Sequence, residues 1–310
     1  MYYPYLRGRQ NELLAIKELL LNGLLSERVI PIIEPVKLSP TLVNTVDVFE
    51  TSQRELVLIR NPKVGDLAAG TLSSKDEKYR DRIKDILSSA KAIQHGIIVD
   101  AKTPSKMEKL HLRGVEDDRI VAICKTVDCI DFYKKAFPYP VRTVITDVSS
   151  IRRTINTNRI LLRDGFNKLS RNSDYLNEID EFFSNDHLFY EDENYIGFSD
   201  YSIIGEEYTD TGFAPYAVAI HIVYFDKNKN MRVRHFVSTD NDDVSDTANK
   251  FYQAVKQLVE WNRTQHLNTR AIQEFERIYS EESYPGLGVV KKLSIMHHLE
   301  LVSKFLDGAL

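Results

Sequence analysis

The sequence predicts an α/β fold, a (β/α)8 TIM-like barrel with an inserted β-hairpin and C-terminal helices. Eight short apolar runs support this prediction, because fully buried parallel strands are continuous hydrophobic runs. Most runs are separated by stretches with helical spacing or turn residues, and such alternation is typical of a parallel sheet. With 310 residues, 43% of them apolar, the chain is long enough to form a core of barrel size.

The eight predicted strands follow one another along the first 200 residues. They are YYPYLRG at 2–8, VIPIIEPV at 29–36, LVLIRNP at 56–62, GIIVDAK at 96–102, IVAICK at 120–125, TVITD at 143–147, ILLRD at 160–164 and YIGFSD at 195–200. Helices are expected between them, one capped by Ser39 with Pro40 in its first turn and another capped by Ser105. A polar stretch without a clear period follows the seventh strand.

The pattern changes after Asp200. Alternating runs at 216–225 and 231–239, joined by DKNKN, predict a β-hairpin within an insertion at 203–240. Its arms carry His221 and His235, which are expected to form a structural cross-strand pair. Helices are predicted at about 244–264, 267–281 and 289–307. We expect 1–310 to form a single barrel domain, with the helices of 244–310 packed on the barrel.

Composition limits the classes of partner. The net charge is −4, with 41 basic and 45 acidic residues, so the chain has no global attraction to nucleic acid or to an anionic membrane. The only cysteines, Cys124 and Cys129, give neither a disulfide framework nor a zinc motif. No signal pattern and no apolar run of roughly 18 residues is present. The sequence therefore indicates a cytoplasmic protein.

Polar residues lie at or just after the ends of the predicted strands. They are Arg7, Glu34, Arg60, Asn61, Asp100, Lys102, Lys125, Asp147, Arg163, Asp164, Asp200 and Tyr201. In a parallel barrel these ends converge on the face that carries the active site. Charged groups are almost never buried without partners, so the set is expected either to bind a ligand or to form a salt-bridge lattice that caps the barrel.

The chemistry of these side chains suggests roles for them. Glu34, Asp100, Asp147 and Asp200 are candidate Mg²⁺ or Mn²⁺ ligands or general bases. Asp164 is a further candidate catalytic carboxylate, and Lys102 is a candidate electrostatic stabiliser. The remaining set is expected to bind a ligand, with the cationic members engaging its anionic group: Arg7, Arg60, Asn61, Lys125, Arg163 and Tyr201. His95 is predicted to precede the fourth strand, at the opposite end of the barrel.

Two resemblances add to this interpretation. The segment from Leu6 to Glu12 resembles the strand-one motif of glycerophosphodiester phosphodiesterase barrels, but Leu6 replaces their histidine and their Glu-Asn pair is reversed. The motifs Tyr3-x-x-Leu-Arg-Gly-Arg-x-x-Glu12, Pro31-Ile-Ile-Glu-Pro35 and Leu293-Ser-Ile-x-His-His-Leu resemble the bacterial and phage "beta family" proteins. The second resemblance implies a barrel-like fold and a setting in phage and host conflict, and it brings no catalytic residues.

Two functions follow as hypotheses. In the first, the strand ends bind or hydrolyse a phosphate-containing, nucleotide-like ligand, and an enzyme of this kind would be a metal-dependent phosphodiesterase or related hydrolase. In the alternative, the chain is a non-enzymatic scaffold of an anti-phage defence system. Its hairpin at 206–240 and its C-terminal helices would then bind a partner protein.

Overall fold

A computed structural model describes residues 1–70, 76–209 and 215–310. The chain divides into two compact units, each built from three segments. We call the first the barrel unit; it comprises Met1–Leu13, Glu27–Arg163 and Asp186–Asp200. We call the second the hairpin unit; it comprises Leu14–Ser26, Asp164–Asn185 and Tyr201–Leu310. That 1–310 form one domain stays a prediction.

The barrel unit contains an eight-stranded parallel sheet. Its strands are β1 Tyr5–Leu6, β2 Ile32–Ile33, β3 Leu56–Ile59, β4 Ile93–Ile98, β5 Ile120–Cys124, β6 Arg142–Thr146, β7 Arg159–Leu162 and β9 Gly197–Ser199, while β8 Asp180–Ser184 lies in the hairpin unit. The strands are hydrogen-bonded in this order. Tyr2 forms parallel bridges to both Val29 and Phe198, so the last strand returns to the first. The result is a nearly closed barrel flanked by helices.

Helices separate most of these strands. They are α1 Gln10–Leu21, α2 Pro40–Thr51, α3 Gly65–Ala69, α4 Glu77–Ser89, α5 Thr103–His111, α6 Cys129–Ala136, α7 Ser149–Thr154 and α8 Asp186–Phe189. The predicted cap of α2 is confirmed, because Ser39 Oγ accepts a hydrogen bond from Leu42 N at 3.1 Å. The predicted Ser105 cap of α5 is wrong. That helix begins at Thr103 and Ser105 lies inside it, because Asp100 Oδ1 accepts the Lys102 N–H at 2.8 Å and fixes the turn there.

The strands form the centre of the apolar core. Every residue of β3 and of β5 is buried, which explains why their sequences are continuous apolar runs. Each fully buried Ile or Leu contributes roughly 1.5–3 kcal/mol relative to an exposed one. Gly96 in β4 allows close approach to the neighbouring strand, because a Cβ atom there would lie 2.9 Å from Ile59 Cγ1.

The hairpin unit contains a three-stranded antiparallel sheet and three long helices. Its strands β10 Ala219–Phe225 and β11 Met231–Val237 form the predicted hairpin, and β11 also pairs with β8, giving the order β10-β11-β8. The helices are α9 Thr247–Gln265, α10 Arg270–Ser280 and α11 Leu287–Leu306, close to their predicted positions. Trp261 on α9 packs against Tyr224 and Phe236 of the hairpin. No described helix is both long enough and apolar enough to traverse a membrane.

Candidate functional site

The mouth of the barrel unit brings together four polar side chains from three strand ends. Tyr5 Oη donates a hydrogen bond to Glu34 Oε2 at 2.8 Å, and the Arg7 guanidinium forms a salt bridge with the same carboxylate. Lys125 Nζ lies 5.7 Å from the centroid of the Tyr5 ring. Because β1 and β5 are four strands apart in the sheet, this contact must cross the barrel interior. Tyr5, Arg7, Glu34 and Lys125 therefore share the mouth.

The turn after β1 holds Arg7 in place. Gly8 has a φ of +62°, a left-handed conformation that glycine adopts without strain, and a Cβ atom there would lie only 3.1 Å from Ile33 Cγ2 and from the Pro35 α-carbon. This turn leads into α1, where the buried carboxylate of Glu12 accepts the Arg7 backbone N–H at 2.6 Å. The Arg-Gly-x-x-x-Glu spacing thus has a structural role that sets the direction of the Arg7 side chain.

Glu34 also connects the mouth to the end of β3. Its Oε1 atom accepts the backbone N–H of Lys63 at 2.7 Å, and the Lys63 ammonium contacts Asp100 Oδ2 at 2.5 Å. Lys63 was not predicted as a site residue. Two of the four predicted metal ligands, Glu34 and Asp100, are therefore linked through a lysine.

Asn61 extends the pairing of β3 with β4 by one step. Its amide nitrogen donates to Ile98 O at 2.7 Å, and its amide oxygen accepts the Ile98 N–H at 3.0 Å. A side-chain amide here replaces a peptide group at the strand end. Asn61 is a ligand-binding candidate by sequence, and the structure gives it this structural contact at the rim of the mouth.

Asp100 is the carboxylate of a lysine cluster. We define the Asp100 lysine cluster as Asp100 with Lys63, Lys102 and Lys106. Lys106 Nζ lies 3.8 Å from Asp100 Oδ2, and the Lys102 backbone N–H binds Oδ1. Thr103 completes the turn by accepting the Asp100 N–H with its hydroxyl oxygen at 2.8 Å. The ammonium groups of Lys63 and Lys106 therefore lie beside one carboxylate, and the charge of Lys102 also acts on Lys106.

The pKa values of Asp100 and Lys106 are both lowered in this cluster. Partial burial acts to raise the pKa of Asp100, but hydrogen bonds from Lys63 and the Lys102 backbone, with the charges of Lys106 and Lys63, hold it below its ordinary value. The pKa of Lys106 is lowered by burial and by its lysine neighbours, although Asp100 opposes this. Burial is the largest cause of this lowering, because loss of solvent disfavours the charged form of the lysine.

Asp147 and Arg163 form a separate ion-pair cluster. Asp147 contacts Arg152 Nε at 3.0 Å and Arg163 Nη2 at 3.2 Å. Arg163 Nη1 also contacts Asp186 Oδ1 at 2.6 Å. The predicted carboxylate, Asp147, and the predicted anion-binding arginine, Arg163, therefore form an ion pair with each other.

Arg60 lies on the other face of the sheet. Tyr5 pairs with Ile32 and Ile32 with Val57, so these three share a face, while Leu58 and Arg60 take the opposite one. Arg60 Nη1 lies 3.3 Å from Nδ1 of His95, which is inside β4. The prediction that His95 precedes this strand is wrong, because β4 begins at Ile93. Burial, with the charges of Arg60 and Arg119, lowers the pKa of His95 to about 4.

Asp200 lies on the same face as Arg60. When the residue pairs are followed from strand to strand around the sheet, Phe198 lies on the face opposite to that of Tyr5. Asp200 follows Phe198 by two residues, so its side chain lies on the same face as Phe198. Tyr2, stacked on Phe198 with ring centroids 4.9 Å apart, donates from its hydroxyl to Asp200 Oδ1 at 2.7 Å. Burial and the Asp200 charge raise the pKa of Tyr2.

Two predicted site residues belong to the hairpin unit. Asp164 accepts the Phe166 N–H at 3.0 Å and the Glu206 N–H at 2.7 Å. Tyr201 donates from its hydroxyl to Glu206 Oε1 at 3.2 Å. Both side chains therefore stabilise the chain that follows the seventh and eighth barrel strands.

The described carboxylates do not fit a divalent cation site. Across residues 1–70, 76–209 and 215–310, no three His, Cys, Asp or Glu side chains are grouped as metal ligands. The carboxylates of Glu34 and Asp100 contact Arg7 and Lys63 instead. A cation at either position would have to displace these side chains.

Comparison with known proteins gives no match to a family model, to a curated protein or to a solved structure.

Proposed function

We propose that the barrel unit is a (β/α)8 TIM-like barrel whose mouth binds a phosphate-containing anion, with nucleotide-like molecules as the ligand class. The parallel order of its eight strands supports the fold. Ligand sites of such barrels lie at the carboxyl ends of the strands, where Arg7, Glu34, Asp100 and Lys125 are found.

The single observation that carries the proposal is the Asp100 lysine cluster. Two ammonium groups, those of Lys63 and Lys106, lie beside one carboxylate, and the charge of Lys102 acts on Lys106, which leaves positive charge beside a partly buried rim. Phosphate oxygens accept strong, charge-assisted hydrogen bonds from ammonium groups, and a bound anion would relieve the repulsion among the lysines. The cluster is therefore arranged for an anion with several oxygen acceptors.

Glu34 acts as a positioning residue in this proposal. Glu34 forms a salt bridge with Arg7 and accepts the backbone N–H of Lys63. It therefore fixes the position of the Lys63 backbone from which the side chain extends. Lys125, over the Tyr5 ring, supplies a further cation inside the mouth. The ligand would thus meet lysines at the rim first and Lys125 deeper in.

Binding here relies on the chain's own cations. Because the described carboxylates contact cationic side chains, the proposal contains no metal-dependent step. A phosphodiesterase activity, the setting in phage and host conflict, and a scaffold role for 206–240 stay predictions from the sequence.

Calorimetric titration with inorganic pyrophosphate at low ionic strength tests the proposal. The double variant Lys63→Ala/Lys106→Ala should weaken pyrophosphate binding at least tenfold, about 1.4 kcal/mol, because both ammonium groups that lie beside Asp100 are lost. The matched control is Lys84→Ala/Lys91→Ala. It removes two lysines too, but Lys84 pairs with Asp81 on α4 and Lys91 precedes β4, at the other end of that strand.

The expected pattern is weaker binding only in the cluster variant. Equal affinity of both double variants and the wild type would overturn the proposal, as would the absence of any binding to the wild-type chain at millimolar pyrophosphate. Thermal melting of the unliganded variants checks that each remains folded.

A further inference from the structure

A group of basic side chains lies at the outer face of the barrel sheet. We define the outer-face cluster as Arg60, His95, Arg113 and Arg119. Arg60 and His95 lie on the face opposite to that of Tyr5, and since Tyr5 faces the barrel interior, theirs is the outer face. Arg113 follows helix α5 and Arg119 directly precedes β5, so all four side chains come from the barrel unit. Arg60 is thus a predicted anion-binding residue that the mouth does not use.

The contact between Arg60 and His95 fixes the state of the histidine ring. Arg60 Nη1 lies 3.3 Å from His95 Nδ1. A guanidinium only donates, so Nδ1 accepts, and the proton of the neutral ring is on Nε2. Burial, the largest cause, together with the charges of Arg60 and Arg119, lowers the pKa of His95 to about 4, so the ring is neutral at pH 7. His95 therefore gives Arg60 an acceptor but no negative charge.

No described carboxylate pairs with the arginines of this cluster. Across residues 1–70, 76–209 and 215–310, Arg60, Arg113 and Arg119 form no salt bridge with an Asp or Glu side chain. Burial and the charge of Arg113 both lower the pKa of Arg60, and no carboxylate raises it. Arg60 and Arg113 are therefore close enough to repel each other, and their charges are not compensated.

Two of the three guanidinium groups retain donors for a ligand. Arg60 uses one nitrogen toward His95, and the exposed Arg113 side chain donates to no described residue. No nitrogen of Arg60 is among the enclosed polar atoms that lack a partner, so its remaining N–H groups are open to solvent. Arg119 differs, because its terminal nitrogens donate to the backbone oxygens of Ala90 and Ile93. Arg119 therefore contributes charge, while Arg60 and Arg113 contribute donors.

Donors that carry positive charge and lack an acceptor specify an oxyanion. Guanidinium groups donate in a planar fork that matches the oxygens of phosphate, sulfate and carboxylate. Cationic side chains are seldom removed from water without a partner, and Arg60 is half-buried. Three positive charges favour a dianion over a monoanion, because each negative charge is attracted by all three. A tetrahedral dianion fits these requirements better than a carboxylate does.

We propose that Arg60 and Arg113 form a second anion site, on the outer face of the barrel and separate from the mouth, which binds a phosphate or sulfate group. Guanidinium N–H groups of both residues donate to the oxygens of the anion, and Arg119 attracts it by charge. The site shares no residue with the Asp100 lysine cluster, so binding at one does not require binding at the other.

Titration of the full chain with inorganic sulfate at constant ionic strength tests the site, and the ¹⁵N signals of His95 give a local readout. In the unliganded chain His95 should show an unprotonated Nδ1 and a protonated Nε2. Its signals should move saturably with sulfate below about 10 mM, and acetate, a monoanion, should bind at least tenfold more weakly. Glycerol 2-phosphate distinguishes the sources of the anion, because it binds only if the site accepts the phosphate group of a larger molecule.

Arg113→Met should weaken sulfate binding at least tenfold, because one of the two forks is lost. The matched control is Arg82→Met, an arginine of α4 whose guanidinium lies 3.5 Å from Asp47, and its affinity for sulfate should equal that of the wild type. The mouth variant Lys63→Ala/Lys106→Ala should keep the sulfate response of His95. The two proposed sites therefore fail independently.

Thermal melting separates a ligand-binding role of Arg60 from a purely structural one. Without sulfate, Arg60→Met should melt at or above the temperature of the wild type, because methionine keeps an apolar stem and removes an uncompensated charge. With saturating sulfate the wild type should melt at a higher temperature, while Arg60→Met and Arg113→Met should not gain, since only binding to the native state stabilises it. Absence of sulfate binding to the wild type, or equal affinity of the wild type and both variants, would overturn the site.

Discussion

At the scale of single residues, the buried pair of Arg7 and Glu34 is the strongest constraint on the mouth. Both side chains are almost completely buried, with exposed fractions of 7% and 1%. Breaking a buried ion pair by removing one charge leaves the other without compensation. The resulting loss of stability is far greater than the loss from breaking a surface ion pair, which is about 0–1 kcal/mol.

We therefore expect Glu34→Gln to lower the free energy of unfolding by about 3–5 kcal/mol. The control is Glu77→Gln, whose partner Arg80 lies at 3.6 Å on an exposed face of α4, and its effect should be near zero. Urea unfolding of the three proteins measures both values. Similar losses in the two variants would contradict a special role for the buried pair.

Residue identity alone predicts only part of the site. Arg7, Glu34, Asp100 and Lys125 were found from their positions after apolar runs, because strand ends of a parallel barrel converge. Arg60 and Asp200 were included by the same rule, but strand alternation turns them to the opposite face. Lys63 was missed because it follows Asn61-Pro62 in a turn, and its reach to Asp100 depends on a loop path that no sequence pattern encodes.

At the scale of secondary-structure elements, the capping residues of α2 and α5 give the most direct test of where these helices begin. Ser39 caps α2 through its hydroxyl oxygen, whereas Ser105 lies within α5 and is exposed. Ser39→Ala should lower stability by about 1 kcal/mol, because an N–H of the first turn loses its acceptor. Ser105→Ala should have little effect or a slightly stabilising one, since alanine favours helix interiors. Thermal melting compares the two, and a larger loss in Ser105→Ala would contradict the assigned start of α5.

Strand β8 shows where element prediction fails. Its sequence, DEFFS, is short and carries two acids, and Phe182 is exposed. The alternation of polar and apolar residues extends over too few positions to distinguish this strand from a turn. The strand exists because β11 pairs with it, a contact between segments about 50 residues apart that the local sequence does not reveal.

At the scale of the whole molecule, buried histidines couple stability to pH. Burial lowers the pKa values of His95, His235 and His297 to about 4, and His297 uses both ring nitrogens, toward Val223 O and Thr269 Oγ1. In the unfolded chain these rings titrate near their ordinary value of about 6.5. Below that pH the unfolded state binds protons that the folded state does not.

We expect stability to be complete above about pH 6.5 and to fall as the pH drops toward 4, by up to about 1.4 kcal/mol per pH unit for each ring. Urea midpoints between pH 7 and pH 4.5 measure this slope. Replacing His95 by Gln should reduce the slope relative to the wild type. A midpoint that does not change over this range would contradict the neutral state of the three rings.

The order of the barrel strands follows directly from the sequence, since each apolar run pairs with the next. The division into two units does not. Residues 14–26 and 164–185 are assigned to the hairpin unit although they lie between barrel segments, and such long-range assignment depends on packing partners far along the chain.

The position of Trp261 makes the two units optically distinguishable. It is the only tryptophan of the chain and packs on the hairpin. Fluorescence excited at wavelengths absorbed by indole alone therefore reports the hairpin unit, whereas tyrosines lie in both units. Indole emission, followed during denaturation beside the far-UV circular dichroism of the whole chain, reveals whether the hairpin unit melts together with the rest of the chain or in a separate step.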